Sequence, residues 1–188
     1  KYTNSFVIEK VQEAVNENED ETMMRVYGWE NQKYRSYFID NDVSIYKASG
    51  EKLGFGDVIR FYSDGDVIKL IICDFDANES VFARNSSTDA ADMNGGNKDV
   101  MYQFGEAYML GSDYIYIGGG DDGRDMSVSQ LRNFAVDTAN IAVINMSEQT
   151  VKTGKLSDIR TYKNYGAGDI VLIRQTNLFT KAIYVYVQ

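Results

Sequence analysis

Apolar residues in this chain fall in short runs separated by Gly, Asn, Asp and Ser, and most runs are rich in Val, Ile and Tyr, which favours strands over helices. Residues 6–15 admit two periods. Ile8, Val11 and Val15 make a helical stripe, and the alternating positions give no clean strand face, yet the β-branched Val7, Ile8 and Val11 favour a strand. The acidic run 16–21 reads as a hairpin loop, 22–29 as its partner strand, Asn31-Gln32 as a turn and 33–39 as the next strand. Asp40-Asn41-Asp42 then separates off a short strand at 43–46, and a hairpin from Gly56 to Cys73 follows. About six short strands in this span predict a small closed or half-open barrel, because closure removes edges that would otherwise aggregate.

From residue 77 the pattern fades. Residues 85–89 and 93–99 are poor in apolar side chains and rich in turn formers, so 77–102 reads as a linker or long loop. Strands resume at 103–109 and 113–117, followed by a glycine-rich loop, Gly118 to Asp125. Residues 128–134 suit a short helix or an irregular connection, 140–145 a strand, 155–159 a turn of helix, and 168–187 a closing hairpin. In the last strand Ile183, Val185 and Val187 share one face and Tyr184 and Tyr186 the other. Both faces should therefore be covered, one by the core and one by a neighbour.

One stretch occurs twice. Gly54-Phe-Gly-Asp-Val-Ile-Arg-Phe61, ending at Lys69-Leu-Ile-Ile72, returns as Gly166-Ala-Gly-Asp-Ile-Val-Leu-Ile173, ending at Lys181-Ala-Ile-Tyr184, all at an offset of 112. The expected fold is all-β: two tandem small barrel-like or sandwich-like domains with a minor helical turn, over 1–76 and 103–188. Asp57 and Asp169 each follow a glycine in this repeat, and the simplest role for both is to cap their own turns by accepting a backbone N–H two residues on. Asp64-Gly65-Asp66 reads as a tight hairpin turn needing positive φ at Gly65.

Charge and composition narrow the chemistry. A net charge of −9 and a pI near 4.5 disfavour nucleic acid, which needs a basic footprint. There is no histidine, which removes Ser-His-Asp and Cys-His nucleophile pairs and imidazole zinc sites. Cys73 stands alone, so no intrachain disulfide forms, and its apolar run suggests a small buried side chain. No apolar run approaches the length of a membrane span, so no membrane insertion is expected. The chain begins at Lys1 with neither an initiator Met nor a signal peptide, as a processed chain would. Acidic spacing in Gly118–Asp125 does not fit a helix–loop–helix calcium site, and the loop lacks the Gly-Lys-Ser/Thr ending of a phosphate loop. No cofactor or metal is expected; the one Ca2+ reading rests on the alternating Asp74, Asp76 and Asn78.

Several segments carry a resemblance. Phe6-Val-Ile-Glu, Tyr37-Phe-Ile-Asp, Val43-Ser-Ile-Tyr, Gly56-Asp-Val-Ile-Arg, Phe104-Gly-Glu-Ala-Tyr, Asp113-Tyr-Ile-Tyr-Ile, Ile141-Ala-Val-Ile-Asn, the run Thr150 to Ile159 and Lys181-Ala-Ile-Tyr-Val-Tyr186 are together similar to the β-rich repeat regions of Firmicute surface proteins that carry S-layer homology domains. Structural proteins of phages infecting such bacteria would suit the same segments. The resemblance implies a non-catalytic structural or assembly module at an extracellular cell surface or virion surface, with copies of itself or neighbouring proteins as partners. The cell-wall-anchoring S-layer homology motifs are not visible here, so neither wall binding nor binding residues carry over. For protein contacts the residues expected are Tyr184 and Tyr186, since aromatic rings supply much interface energy. A second reading is a carbohydrate-binding module stacking sugars on Tyr27 and Trp29, and a third is a carboxylate enzyme with two acids facing across a cleft.

Overall fold

The computed structural model describes residues 5–46, 52–77, 87–88, 100–136, 139–176 and 179–187. The chain is all-β and divides into two units, 1–78 and 79–188.

The first unit is a closed barrel of five strands, β1 (Phe6–Asn16), β2 (Glu21–Glu30), β3 (Lys33–Tyr46), β4 (Val58–Asp64) and β5 (Val67–Phe75). Its order is β1-β2-β3-β5-β4 and back to β1, with β3 and β5 parallel and every other pair antiparallel. That Greek-key circuit is the wiring of an OB-type barrel, a scaffold that assigns no function by itself. Sequence patterning resolves into it directly. Asn31 and Gln32 both take positive φ (48° and 63°), the two-residue turn that matches strand twist, so Glu30 pairs with Lys33. Gly65 adopts φ 63° between Asp64 and Val67, as the hairpin requires. Phe6, Ile8, Val26, Ile59, Phe61 and Ile71 fill the interior, with Cys73 buried beside them.

One expectation fails here. Residues 43–46 are not a separate strand but the end of the 14-residue β3. Asp40 accepts the Asp42 N–H (2.8 Å) and ion-pairs with Lys69, so the polar triplet shifts register between Ile39 and Ser44 without breaking the strand. The barrel therefore has five strands and a bent third one.

In the second unit β7 (Val100–Leu110), β8 (Tyr114–Ile117) and β9 (Arg132–Ala135) form a meander. After 136–139 the chain continues as β10 (Asn140–Asn145) and β11 (Thr150–Thr153), then one turn of 3-10 helix (Leu156–Asp158), the four-residue α1 (Tyr162–Tyr165), β12 (Ile170–Thr176) and β13 (Phe179–Val187). The sheet runs β11-β10-β13-β12-β7-β8-β9, with β10 and β13 parallel, and β9 also touches β13. Taken as one strand interrupted at 136–139, β9 and β10 occupy the place that β3 holds in the first unit. Residues 128–134, expected as a short helix or irregular connection, give a single turn at Ser127–Leu131 and then β9. Within 77–102 the described residues are Ala77, the two-residue β6 (Ser87–Thr88) paired with β7, and the start of β7; the remainder of that expected linker lies outside the described residues.

From Ile59 and Val171 onward the two closing hairpins pair alike at the 112 offset, whereas the first carries a further bulge at Val58/Ile59 that the second lacks. Ile59↔Cys73 matches Val171↔Val185, Phe61↔Ile71 matches Ile173↔Ile183, and a bulge falls at Tyr62/Ser63 and again at Arg174/Gln175. The parallel partners agree as well: Ile45↔Ile71 in one unit, Ile141↔Ile183 in the other. Asp57 and Asp169 both serve the backbone, but through partners other than those expected. Asp57 accepts from Gly54 N–H (2.9 Å), three residues back at the start of its own turn, and from Ala77 N–H (2.9 Å) beyond β5, whereas Asp169 accepts from Arg160 N–H (2.8 Å) ahead of α1.

Candidate functional site

On the outer face of β1–β2–β3, cross-strand register lines up Lys10 with Tyr27 and Ser36, Gln12 with Arg25 and Phe38, and Trp29 with Tyr34. Lys10 Nζ stands 4.7 Å from the Tyr27 ring centroid and the Arg25 guanidinium 5.5 Å from it. Arg25 also covers Phe38 (4.6 Å) and donates to Ser36 Oγ at 2.7 and 3.1 Å. Trp29 meets Tyr34 edge to face, centroids 5.5 Å apart and planes at 67°. Tyr34 is 48% exposed, and burial first, then the neighbouring Glu9 carboxylate, raise its phenol above the usual range. Trp29 Nε1 is shielded from solvent with no hydrogen-bond partner among the described residues. Tyr27 and Trp29 are thus near each other and half-exposed, as a sugar platform needs, but Tyr27 is flanked by two cations and Trp29 and Tyr34 are not coplanar.

The second unit holds a cleft of about 350 Å³ lined by Glu106, Arg124, Arg160, Gly168, Asp169 and Tyr186, among others. Gly168 N–H donates to Glu106 Oε1 (2.8 Å), Ala107 N–H to Asp169 O (2.8 Å), and Asp169 N–H to Arg160 O (2.9 Å). A Cβ at Gly168 would lie 2.1 Å from Ala107 O, so only glycine lets the loop after α1 close this tightly on β7. Burial pushes the Asp169 carboxyl above the usual carboxylate range, against the Arg160 N–H bond and the Arg160 charge, which pull it down. The Arg160 guanidinium rests on the Tyr165 ring at 4.7 Å. Tyr108 and Tyr162 stack beside it, centroids 6.3 Å apart and planes at 26°. Of these residues only Tyr186 was singled out in the sequence, as an interface residue. They come from four segments, near 106, 124, 160–170 and 186, and of the others only Asp169 carried a signal, its place in the repeated Gly-Asp turn.

Other expected sites fall elsewhere. Tyr184 and Tyr186, expected at an interface, are 5% and 4% exposed, so the chain itself already covers them. Their strand has two covered faces, as its alternation predicts, but neither ring is offered to a second molecule. Asp74 is bound to Arg60 in a buried ion pair (2.8 and 3.3 Å), Asp76 is fully buried, and Asn78 lies outside the described residues. In the Gly118–Asp125 loop, Asp122 accepts the Arg124 N–H and Asp125 the Ser127 N–H and hydroxyl, and the Ser127 bonds hold Asp125 below the usual carboxylate range. The glycines serve close packing: Gly123 approaches Gly105, with Glu106 N–H donating to Gly123 O (2.9 Å) and the half-buried Arg132 donating to Phe104 O and Gly118 O beneath. Among the described residues no group of three acidic or thiol side chains could hold a metal ion, and no helix is long and apolar enough to cross a membrane.

Set against known protein families, characterised proteins and solved structures, the chain matches none of them.

Proposed function

We propose that this chain is a non-catalytic structural or assembly module made of two copies of one barrel, acting through protein–protein contacts at an extracellular bacterial surface layer or on a phage virion. The observation that carries the reading is the outer face of β1–β2–β3. It gathers Trp29, Tyr34, Tyr27 and Arg25, the residue types that dominate interface energies, on a rigid sheet of a chain that is otherwise acidic. Lys10 and Arg25 make this patch locally cationic, so the acidic surface of a second copy would complement it. The matched hairpins support two copies of one module, and the likeness to repeat regions of surface proteins supports the location.

Sedimentation velocity over a range of protein concentrations tests it. The wild-type chain is expected to self-associate, more weakly as salt rises, and the Trp29→Ala/Tyr34→Ala variant to stay monomeric with an unchanged melting temperature. A wild-type chain that remains a monomer at every concentration and salt sinks the reading. The alternative, a carbohydrate-binding module at Tyr27 and Trp29, is favoured by the half-exposed rings beside the hydrogen-bonding Gln12 and Ser36. Saturable quenching of Trp29 fluorescence by a soluble glycan would select it.

A further inference from the structure

We propose that the cleft beside β7 and β12 in the second unit binds a neutral oligosaccharide, a site separate from the aromatic face of the first barrel and independent of the assembly reading. Its four charged side chains cancel: Glu106 and Asp169 against Arg124 and Arg160. A simple anion drawn by the arginines meets two carboxylates, and a simple cation meets two guanidinium groups. A sugar hydroxyl both donates and accepts, so one ring can donate hydrogen bonds to the carboxylates and accept them from Arg160 at once.

The polar groups are positioned in advance. Glu106 is held by the Gly168 N–H through Oε1, and Asp169 by the Arg160 N–H through Oδ2. Their other oxygens, Glu106 Oε2 and Asp169 Oδ1, accept no hydrogen bond among the described residues. The Arg160 guanidinium lies on Tyr165 and has no hydrogen-bonding or ion-pair partner there, which leaves its donors available while its plane is fixed. Such acceptors and donors need little reordering when a ligand arrives.

An apolar shelf adjoins them. Gly168 backs onto both Ala107 O and the Tyr162 backbone N, which brings the backbone that carries the stacked Tyr108–Tyr162 pair beside the cleft. Tyr162 is 41% exposed and Tyr165 63%. A pyranose carries a C–H face and a hydroxyl rim, and this pairing of aromatic shelf with charge-balanced polar groups suits both. The 350 Å³ volume sits at the small end of the roughly 300–1,000 Å³ seen for small-molecule sites, which points to a short glycan terminus.

The whole chain, labelled with nitrogen-15, would be titrated with maltotetraose and chitotetraose, and in parallel with inorganic phosphate and glycylglycine. Expected are saturable amide shifts centred on Arg160, Gly168 and Asp169 with at least one tetrasaccharide, little changed by salt. Arg160→Ala and Tyr162→Ala, both exposed positions, should each weaken binding about tenfold or more while leaving the amide spectrum of the first barrel unchanged. No saturable shifts with either sugar overturns the proposal. So does a stronger response to phosphate or glycylglycine, which would assign an anion or zwitterion site, or shifts centred on Tyr27 and Trp29. Cleavage of the bound sugar, read by mass spectrometry, would also overturn it in favour of a carboxylate enzyme. Self-association is read separately by sedimentation, so failure of either reading leaves the other standing.

Discussion

Removing the Asp74 carboxylate should cost the first barrel far more than removing both members of its ion pair. Arg60 and Asp74 meet at 2.8 Å with side chains 1% and 0% exposed. Asp74→Ala takes from the buried guanidinium the carboxylate that holds it through two hydrogen bonds, a loss of about 3–5 kcal/mol. For a domain of this size, where each kcal/mol moves the midpoint by roughly 4–8 °C, that is a fall of at least about 12 °C. Arg60→Met/Asp74→Leu removes both charges and keeps apolar bulk, so its stability should return to within about 1 kcal/mol of wild type. At the 112 offset the second unit carries the uncharged Leu172 and Tyr186, buried to 0% and 4% exposure, although Tyr186 pairs in register with Ile170 whereas Asp74 sits in a bulge. Urea unfolding followed by Trp29 fluorescence is the assay, because the sole tryptophan lies in the first barrel. A double variant as unstable as Asp74→Ala would refute the reasoning, since the damage would then come from lost packing and not from the broken ion pair.

The two tethering aspartates should differ in the same assay. Asp57→Ala frees two backbone donors, one on the buried Ala77, and should cost about 2–4 kcal/mol, whereas Asp169→Ala frees one at a half-buried site and should cost about 1 kcal/mol, read by tyrosine fluorescence or circular dichroism. Asp169 also predicts a pH dependence. Burial raises its folded pKa, so the folded state holds the proton more tightly than the unfolded chain, and stability falls as pH rises from the ordinary carboxylate range through the folded value. Compared with Asp169→Asn, the wild type should therefore gain on acidification through that window; a wild type that loses there has the opposite sign. Gly123→Ala should destabilise the second unit by about 1–3 kcal/mol, because φ is +72° and the new Cβ would lie 2.5 Å from Gly105 Cα, and an unchanged thermal midpoint would show the loop able to lift away.

Much of the architecture was legible because it depends on local pattern. Asn31-Gln32 and Gly65 specify their turns through backbone conformation, and the alternating apolar residues of 183–187 specify a strand with two covered faces. Three features escaped because they depend on what comes close in space. Asp40-Asn41-Asp42 looks like a break, but pairing with Lys69 and β5 carries β3 through it. The strand β11 and helix α1 are only four residues each, too short for periodicity to register. The cleft is built from residues near 106, 124, 160–170 and 186, and no spacing rule links positions so far apart.

Tyr184 and Tyr186 show a different limit, with a consequence for function. Alternation tells that a second face of β13 is covered, not whether the cover belongs to the same chain, and here it does. Under the proposal of two copies of one module, the hairpins keep what the backbone needs, namely the register, the bulge and the Gly-Asp tether, while the side chains around them diverge. Lys69 pairs with Asp40 in the first barrel, whereas its counterpart Lys181 lies over Phe179; Tyr62 is half-exposed, whereas its counterpart Arg174 is buried. Selection on such a scaffold acts through the groups it presents, and those differ between the barrels: a cationic aromatic sheet face on one, a charge-balanced cleft with a tyrosine shelf on the other. Under the two proposals these surfaces serve different partners, so a substitution that abolishes self-association through Trp29 should leave glycan binding at Arg160 intact.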